Sequence, residues 1–324
     1  MALFGSVRFI KVATLAVAVF VNGPLFAGDL ESAHDLMARM AKASRDLDYR
    51  GLFTYEYRGN LTSVKVMHSV RDGKTYERVV HLDGPKRQVL RRTDNAECLR
   101  TGDMLLRGNA YKITKDSYAR LEDFYEFHIK GDDRVADRDV SMVHVIPKDK
   151  NRYGYIVAID KESGLLLQSV LMNHLGKPLE RFQFVEIAIG NAMSDDEFAR
   201  EAEQFAKAGV DQSNCLDADG KVDTEGSRWQ TEWLPPGFVL ASYQPADASG
   251  QESMMFTDGL AVFSVFIDST QGNMLPPVDA KLGATVAVLT NIEINKKLYT
   301  ICVVGEIPRA TASQIASAIT QVPL

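Results

Sequence analysis

The residues that could do chemistry are few and scattered. Six histidines stand at His34, His68, His81, His128, His144 and His174, and none has a second ligand at metal spacing. His81 and Asp83 are the nearest thing to a pair, and on alternating strand positions they read as surface polar contact rather than as an acid–base couple. Glu122-Asp123 and Asp195-Asp196-Glu197 are carboxylate clusters, each with a local explanation as charge at a helix end. Asp217-Ala218-Asp219-Gly220 opens like a calcium loop. The loop then requires Asp or Asn and Gly where Lys221 and Val222 stand, and a closing Glu where Arg228 stands. No GxSxG, P-loop, HExxH, CxxC or GxGxxG pattern occurs. The expectation is a binding protein, not an enzyme, with no catalytic residue, metal ligand or cofactor.

Two residue sets remain as candidates for binding or bridging. Phe53, Tyr55 and Tyr57 recur at period two, as do Phe182 and Phe184, so each set points one way from a strand. They either line an apolar cavity on the concave face of a curved sheet or fill a core. Of the three cysteines, Cys302 lies in the apolar run Tyr299–Val304 and reads as a buried free thiol. Cys98–Cys215 is the expected bridge in an oxidising compartment, and the alternative is three unpaired thiols.

The compartment is indicated by the N-terminus. Arg8 and Lys11 precede an apolar run, Val12 to Val21, and Leu25-Phe26-Ala27-Gly28 offers a small residue for cleavage. This is the pattern of a signal peptide over residues 1–27, with an uncleaved anchor as the alternative. The run falls short of the roughly 20 residues that span a bilayer. Cleavage after Ala27 would leave 35 basic and 43 acidic residues, a net charge of −8. That argues against nucleic acid or anionic lipid as a partner through overall charge. Lys86, Arg87, Arg91, Arg92 and Arg100 crowd one stretch and read as the solvated face of a sheet.

The elements that must position these residues follow from periodicity. Ala33, Leu36, Met37, Met40 and Ala41 predict a helix over about 30–46. From residue 50 the period is two, broken at Gly59-Asn60, Asp72-Gly73 and Asp83-Gly84-Pro85, which predicts an antiparallel meander. After an irregular stretch with a short helix near 117–126, strand signals return at 125–130, 140–146, 153–159, 165–172 and 178–189. Together they predict one large antiparallel sheet curled toward a barrel. Ser194 and Glu197 form a capping box for a helix to about Lys207. The Gly-, Asp- and Ser-rich residues 208–226 read as a linker between a domain over 28–207 and a smaller one over 227–324. In the latter, Trp229, Thr231 and Trp233 are expected on one face of a strand. Pro235-Pro236-Gly237 suits a type II turn, and Asp258-Gly259 marks a hairpin. A final helix is expected over about 309–321. The small domain is thus α+β, an antiparallel sheet with one helix.

Several stretches resemble the RseB/MucB family. In the large domain they are Gly51-Leu-Phe-Thr-Tyr55, Asn151-Arg-Tyr-Gly-Tyr155, Asp160 to Leu165 and Leu179-Glu-Arg-Phe-Gln-Phe184. In the small domain they are Glu232-Trp-Leu-Pro-Pro-Gly-Phe238, Asp258 to Ile267 and Val303-Val-Gly-Glu-Ile-Pro308. The family consists of periplasmic negative regulators of the envelope-stress sigma factor. The resemblance implies a periplasmic protein that binds the periplasmic region of a transmembrane anti-sigma factor of the RseA/MucA type. It would protect that partner from regulated proteolysis and so keep the sigma factor inactive. It also implies an unclosed antiparallel β-barrel like those of LolA and LolB, covered by helices. The cavity of that barrel would sense lipid, lipopolysaccharide or mislocalised lipoprotein. Homodimers or larger oligomers are implied too, with much of the anti-sigma contact on the small domain, around Trp233 and Phe238. The alternative is a periplasmic lipid or lipoprotein carrier of the Lol type.

Overall fold

The computed structural model describes residues 32–93, 121–190, 194, 227–246, 250–269, 276 and 278–322. Helix α1 (Ala33–Asp46) begins where the Ser32 side chain accepts a hydrogen bond from the Asp35 amide at 3.1 Å. Leu36, Met37, Met40 and Ala41 lie on its buried face, as the periodicity predicts.

The strands that follow are β1 (Tyr49–Tyr57), β2 (Asn60–Arg71), β3 (Lys74–His81), β4 (Arg87–Thr93), β5 (Tyr125–Val135), β6 (Arg138–Pro147), β7 (Gly154–Asp160), β8 (Leu166–Met172) and β9 (Pro178–Ile189). They form one sheet in the order β4-β3-β2-β1-β9-β8-β7-β6-β5, every neighbouring pair antiparallel. Its edge strands β4 and β5 do not pair with each other, so the barrel is unclosed. Tight turns set the register. Arg58-Gly59 and Asp72-Gly73 carry positive φ at both central positions, which matches the twist of the flanking strands. Phe53, Phe182 and Phe184 form part of the core with Val64, Val66 and Leu167. Leu36, Met37 and Met40 of α1 pack with Val143, Val157 and Ile159.

The second sheet is built from β11 (Val239–Gln244), β12 (Glu252–Thr257), β13 (Val262–Asp268), β14 (Val278–Leu282), β15 (Thr285–Ile294) and β16 (Lys297–Gly305), in the order β11-β12-β13-β16-β15-β14. Helix α2 (Arg309–Ser317) buries Thr311, Ala312, Ile315 and Ala316. The core here includes Trp229, Phe238, Phe256, Phe263, Ile301, Val303 and Ile315. The α+β class is as the sequence predicts, with antiparallel sheets and few helices among the described residues.

Two expectations are corrected. The last helix ends at Ser317, and Ile319–Gln321 form strand β17, which pairs with β10 (Trp229–Thr231). Trp233 is not on that strand: the Thr231 hydroxyl bonds to the Trp233 carbonyl at 2.7 Å, turning the chain. Of the short helix expected near 117–126, residues 121–124 are helical and β5 begins at Tyr125, as the strand signal at 125–130 predicts, while 117–120 lie outside the described residues. The predicted helix over 194–207, the linker over 208–226, Cys98, Cys215 and the residues before Ser32 lie outside the described residues.

Candidate functional site

Three of the stretches singled out in the sequence converge on one side chain. Arg152 follows β6 in the large sheet, and its side chain is wholly buried. Its Nη1 donates to Asp258 Oδ2 at 2.6 Å, and Asp258 lies in the β12–β13 turn of the small sheet. Its Nε and Nη2 grip Asp149 at 3.2 and 3.0 Å, and Nη2 also donates to the Pro236 carbonyl in the Pro-Pro-Gly turn. The guanidinium lies 5.1 Å from the Phe124 and Phe238 ring centroids and 5.4 Å from that of Tyr125. Such stacking favours arginine over lysine.

The carboxylate is equally well held. Asp258 Oδ1 accepts the amides of Leu260 and Ala261 at 2.9 and 2.7 Å, and Oδ2 accepts the Tyr125 hydroxyl at 2.8 Å. Burial pushes the Asp258 carboxyl above its ordinary value, against the pull of Arg152 and the two amides. Burial also opposes the Arg152 charge, but Asp258, Tyr125 and Asp149 outweigh it and raise that group. The Tyr125 hydroxyl is driven well above its usual range by burial and by Asp258. These groups hold one another as a fixed junction between the sheets.

A second junction lies on β9. Glu180 is buried and accepts both the Tyr55 hydroxyl and the Ala284 amide, the latter at 2.6 Å in the β14–β15 turn. Gly283 of that turn has φ +62, and a Cβ there would run into the Glu180 carboxylate. Glu306, after β16, is partly buried; desolvation and the neighbouring Glu180 push its carboxyl up to about 8.

Beside this junction is a cleft of about 540 Å³. It is walled by the end of β1 and the turn after it (Tyr57, Arg58), the start of β9 (Leu179, Arg181) and the end of β14 and the turn after it (Lys281, Gly283).

The aromatic set predicted from sequence divides in two. Phe53, Phe182 and Phe184 are buried, with edge-to-face centroid distances of 4.8 Å for Phe53–Phe182 and 5.2 Å for Phe182–Phe184. Tyr55 and Tyr57 are partly buried and stack on each other at 5.6 Å, with Tyr57 reaching the cleft. Phe238 is buried over Arg152, and Trp233 is partly buried against the small-sheet core. Cys302 is a free, partly buried thiol, raised by burial. Residue type and spacing do not mark Arg152, Asp258 or Glu180 as site residues. Their signal was present only as fragments of Asn151–Tyr155, Asp258–Ile267 and Leu179–Phe184.

Comparison with known proteins places this architecture. Residues 32–202 match the MucB/RseB N-terminal domain, and residues 223–320 match the MucB/RseB C-terminal domain. The chain belongs to the MucB/RseB family. Among its MucB/RseB relatives, the sigma factor AlgU regulatory protein MucB of Pseudomonas aeruginosa is 32% identical over 297 residues, which cover 89% of this chain and 90% of that protein. The sigma-E factor regulatory protein RseB of Escherichia coli is 28% identical over 298 residues, covering 87% and 88% respectively. A crystal structure of MucB in complex with MucA(peri) superposes with a TM-score of 0.68 at 31% identity, covering 90% of this chain and 100% of that one. MucB/RseB proteins are regulatory binding proteins rather than enzymes. Among the described residues no cluster of metal-ligating side chains occurs, and no helix is long and apolar enough to cross a membrane.

Proposed function

We propose that this protein is a periplasmic regulator that binds the periplasmic region of a membrane anti-sigma factor of the RseA/MucA type. Binding protects that partner from regulated proteolysis and keeps the envelope-stress sigma factor inactive. The observation that carries this reading is the match, over 90% of the chain, to MucB crystallised with MucA(peri). Release follows when lipid, lipopolysaccharide or mislocalised lipoprotein engages the large sheet around Phe53, Tyr55, Tyr57, Phe182 and Phe184. Linkage supplies the logic: a ligand that prefers the partner-free form weakens partner binding by the same coupling factor. In this reading residues 28–207 and 227–324 act as two domains, and the smaller carries much of the contact near Trp233 and Phe238.

Calorimetric titration with the periplasmic segment of the same cell's anti-sigma factor tests the proposal. Micromolar or tighter binding is expected, weakened when lipopolysaccharide fragments are added. No binding in either monomer or dimer fractions would overturn it in favour of a lipid carrier. Binding that is unchanged at saturating lipid would remove the sensing half alone.

A further inference from the structure

The cleft of about 540 Å³ has an uneven balance of charge. Arg58, Lys177, Arg181 and Lys281 line it, against Glu56 and Glu180. Glu180 is already engaged by the Tyr55 hydroxyl and the Ala284 amide. All four basic residues are exposed, and among the described residues no carboxylate pairs with any of them. Like charges gathered around one concavity repel unless an anion joins them, and a cleft focuses their field. Between the cations lie Tyr57, Pro178 and Leu179, which offer apolar surface to the stem of a ligand. The volume falls within the range of ordinary ligand pockets, about 300–1,000 Å³.

Two further observations give the ligand a shape. Strand β14 is an edge of the small sheet, and all five of its residues are exposed. An exposed edge strand offers unpaired main-chain groups to an incoming strand. At the cleft end of β14, Arg58 Nη1 donates to the Lys281 carbonyl at 3.2 Å. A side-chain N–H thus occupies an acceptor on this edge strand that a neighbouring strand's amide could take. The cations are also spread over four places, the β1–β2 turn (Arg58), the β8–β9 turn (Lys177), β9 (Arg181) and β14 (Lys281), rather than focused on one point. That distribution suits carboxylates spaced along a chain better than a single phosphate.

We propose that this cleft is a docking site for an acidic, extended peptide segment of a partner protein, which adds to the free edge of β14 and sets its carboxylates against Arg58, Lys177, Arg181 and Lys281. This deepens the proposed function and rests on the reading of the protein as one that binds a partner's segment. Arg58 leaves the Lys281 carbonyl and turns to a partner carboxylate as the peptide amide replaces it.

The test uses a fluorescent hexaglutamate peptide, hexaglutamine as a neutral control, and the same hexaglutamate N-methylated at every backbone amide, which leaves neither edge able to donate to a strand. The wild-type protein is expected to bind hexaglutamate, not hexaglutamine, with an affinity that falls steeply between roughly 0.05 and 0.5 M salt. The K177Q/R181Q/K281Q variant is expected to lose at least tenfold in affinity. K86Q/R87Q, on the exposed start of β4, should lose less than twofold with an unchanged circular dichroism spectrum. No hexaglutamate binding, or equal loss in the two variants, overturns the proposal. So does full binding of the N-methylated peptide, which cannot pair as a strand. Binding to phosphatidylglycerol vesicles in place of the peptide overturns it in favour of a lipid surface.

The triple variant is then titrated with the anti-sigma segment. Weakened binding supports the cleft as the dock. If the wild type binds that segment and the triple variant binds it equally, the cleft falls and the regulator reading stands. If the wild type fails to bind it, the regulator reading falls and the hexaglutamate results judge the cleft.

Discussion

Arg152 and Asp258 are both completely shielded from water and lie 2.6 Å apart, although 106 residues separate them in the chain. One belongs to a loop of the nine-stranded sheet and the other to a hairpin of the six-stranded sheet. A buried ion pair repays its desolvation only when hydrogen bonds complete both shells. Here Asp149, the Pro236 carbonyl, the Tyr125 hydroxyl and two backbone amides do so.

Removing either partner strands a buried charge. Arg152→Ala and Asp258→Ala are each expected to lower stability by about 3–5 kcal/mol in denaturant unfolding. Arg152→Lys should recover less than half of that, because an ammonium cannot span Asp258, Asp149 and three rings at once. The double change Arg152→Ala with Asp258→Ala should cost less than the sum of the singles. Simple additivity in that cycle would show that the pair is not coupled.

Gly237 has φ +88, and a Cβ there would lie 2.4 Å from the Phe124 ring. Gly59 has φ +79 but open space around it. Gly59→Ala therefore carries the backbone penalty alone, about 1–2 kcal/mol. Gly237→Ala carries the clash as well and moves the ring off Arg152, so its loss should exceed that of Gly59→Ala by about 1–3 kcal/mol. Thermal unfolding of the two variants side by side decides the matter. Equal losses would mean that Phe124 yields freely.

The Tyr55–Glu180–Ala284 chain should be readable by hydrogen exchange. Tyr55→Phe removes one donor to a buried carboxylate and should cost about 1.5–3 kcal/mol. Glu180→Leu removes the acceptor of the Ala284 amide. That amide is then expected to exchange at least tenfold faster, while amides in the core of β16 keep their protection. Unchanged exchange at Ala284 would show that the turn is held by other contacts.

Glu306 gives the fold a pH dependence of definite sign. Its carboxyl is pushed up to about 8 in the folded chain, from an ordinary value of 4.5. Between those values the folded state holds a proton that the unfolded state has released. Stability from this group is therefore full below about pH 4.5 and is lost progressively as pH rises through about 8. Glu306→Gln should flatten that decline, measured as the urea midpoint from pH 5 to 9. A decline of the same slope in the variant would assign it to other groups.

Much of the fold could be read from local signals. Alternation in Phe53–Tyr57 and in Phe182–Phe184, with Asp72-Gly73 as a turn, was enough to predict an antiparallel meander, because strand period and turn chemistry are local properties. The pairing of β1 with β9 was not, since it joins residues well over a hundred positions apart. Strand β17 is hidden in the sequence because Ile319 continues the helical spacing of Ile315 and Ala316, and its partner strand at Trp229 is remote in sequence. The Arg152 junction was invisible for a related reason. Arginine after a strand reads as a solvated charge, and only the fold brings Asp258 and three aromatic rings over it.

The same junction marks a natural place to divide the molecule. Pieces made separately would each expose half of it, a cation ringed by aromatic surface on one and a carboxylate cradled by two amides on the other. Neither half is comfortable in water, and each is the best available complement of the other. A chain cut between the sheets would leave the two pieces with complementary faces, and their recombination in trans is expected to weaken with whatever loosens that seam.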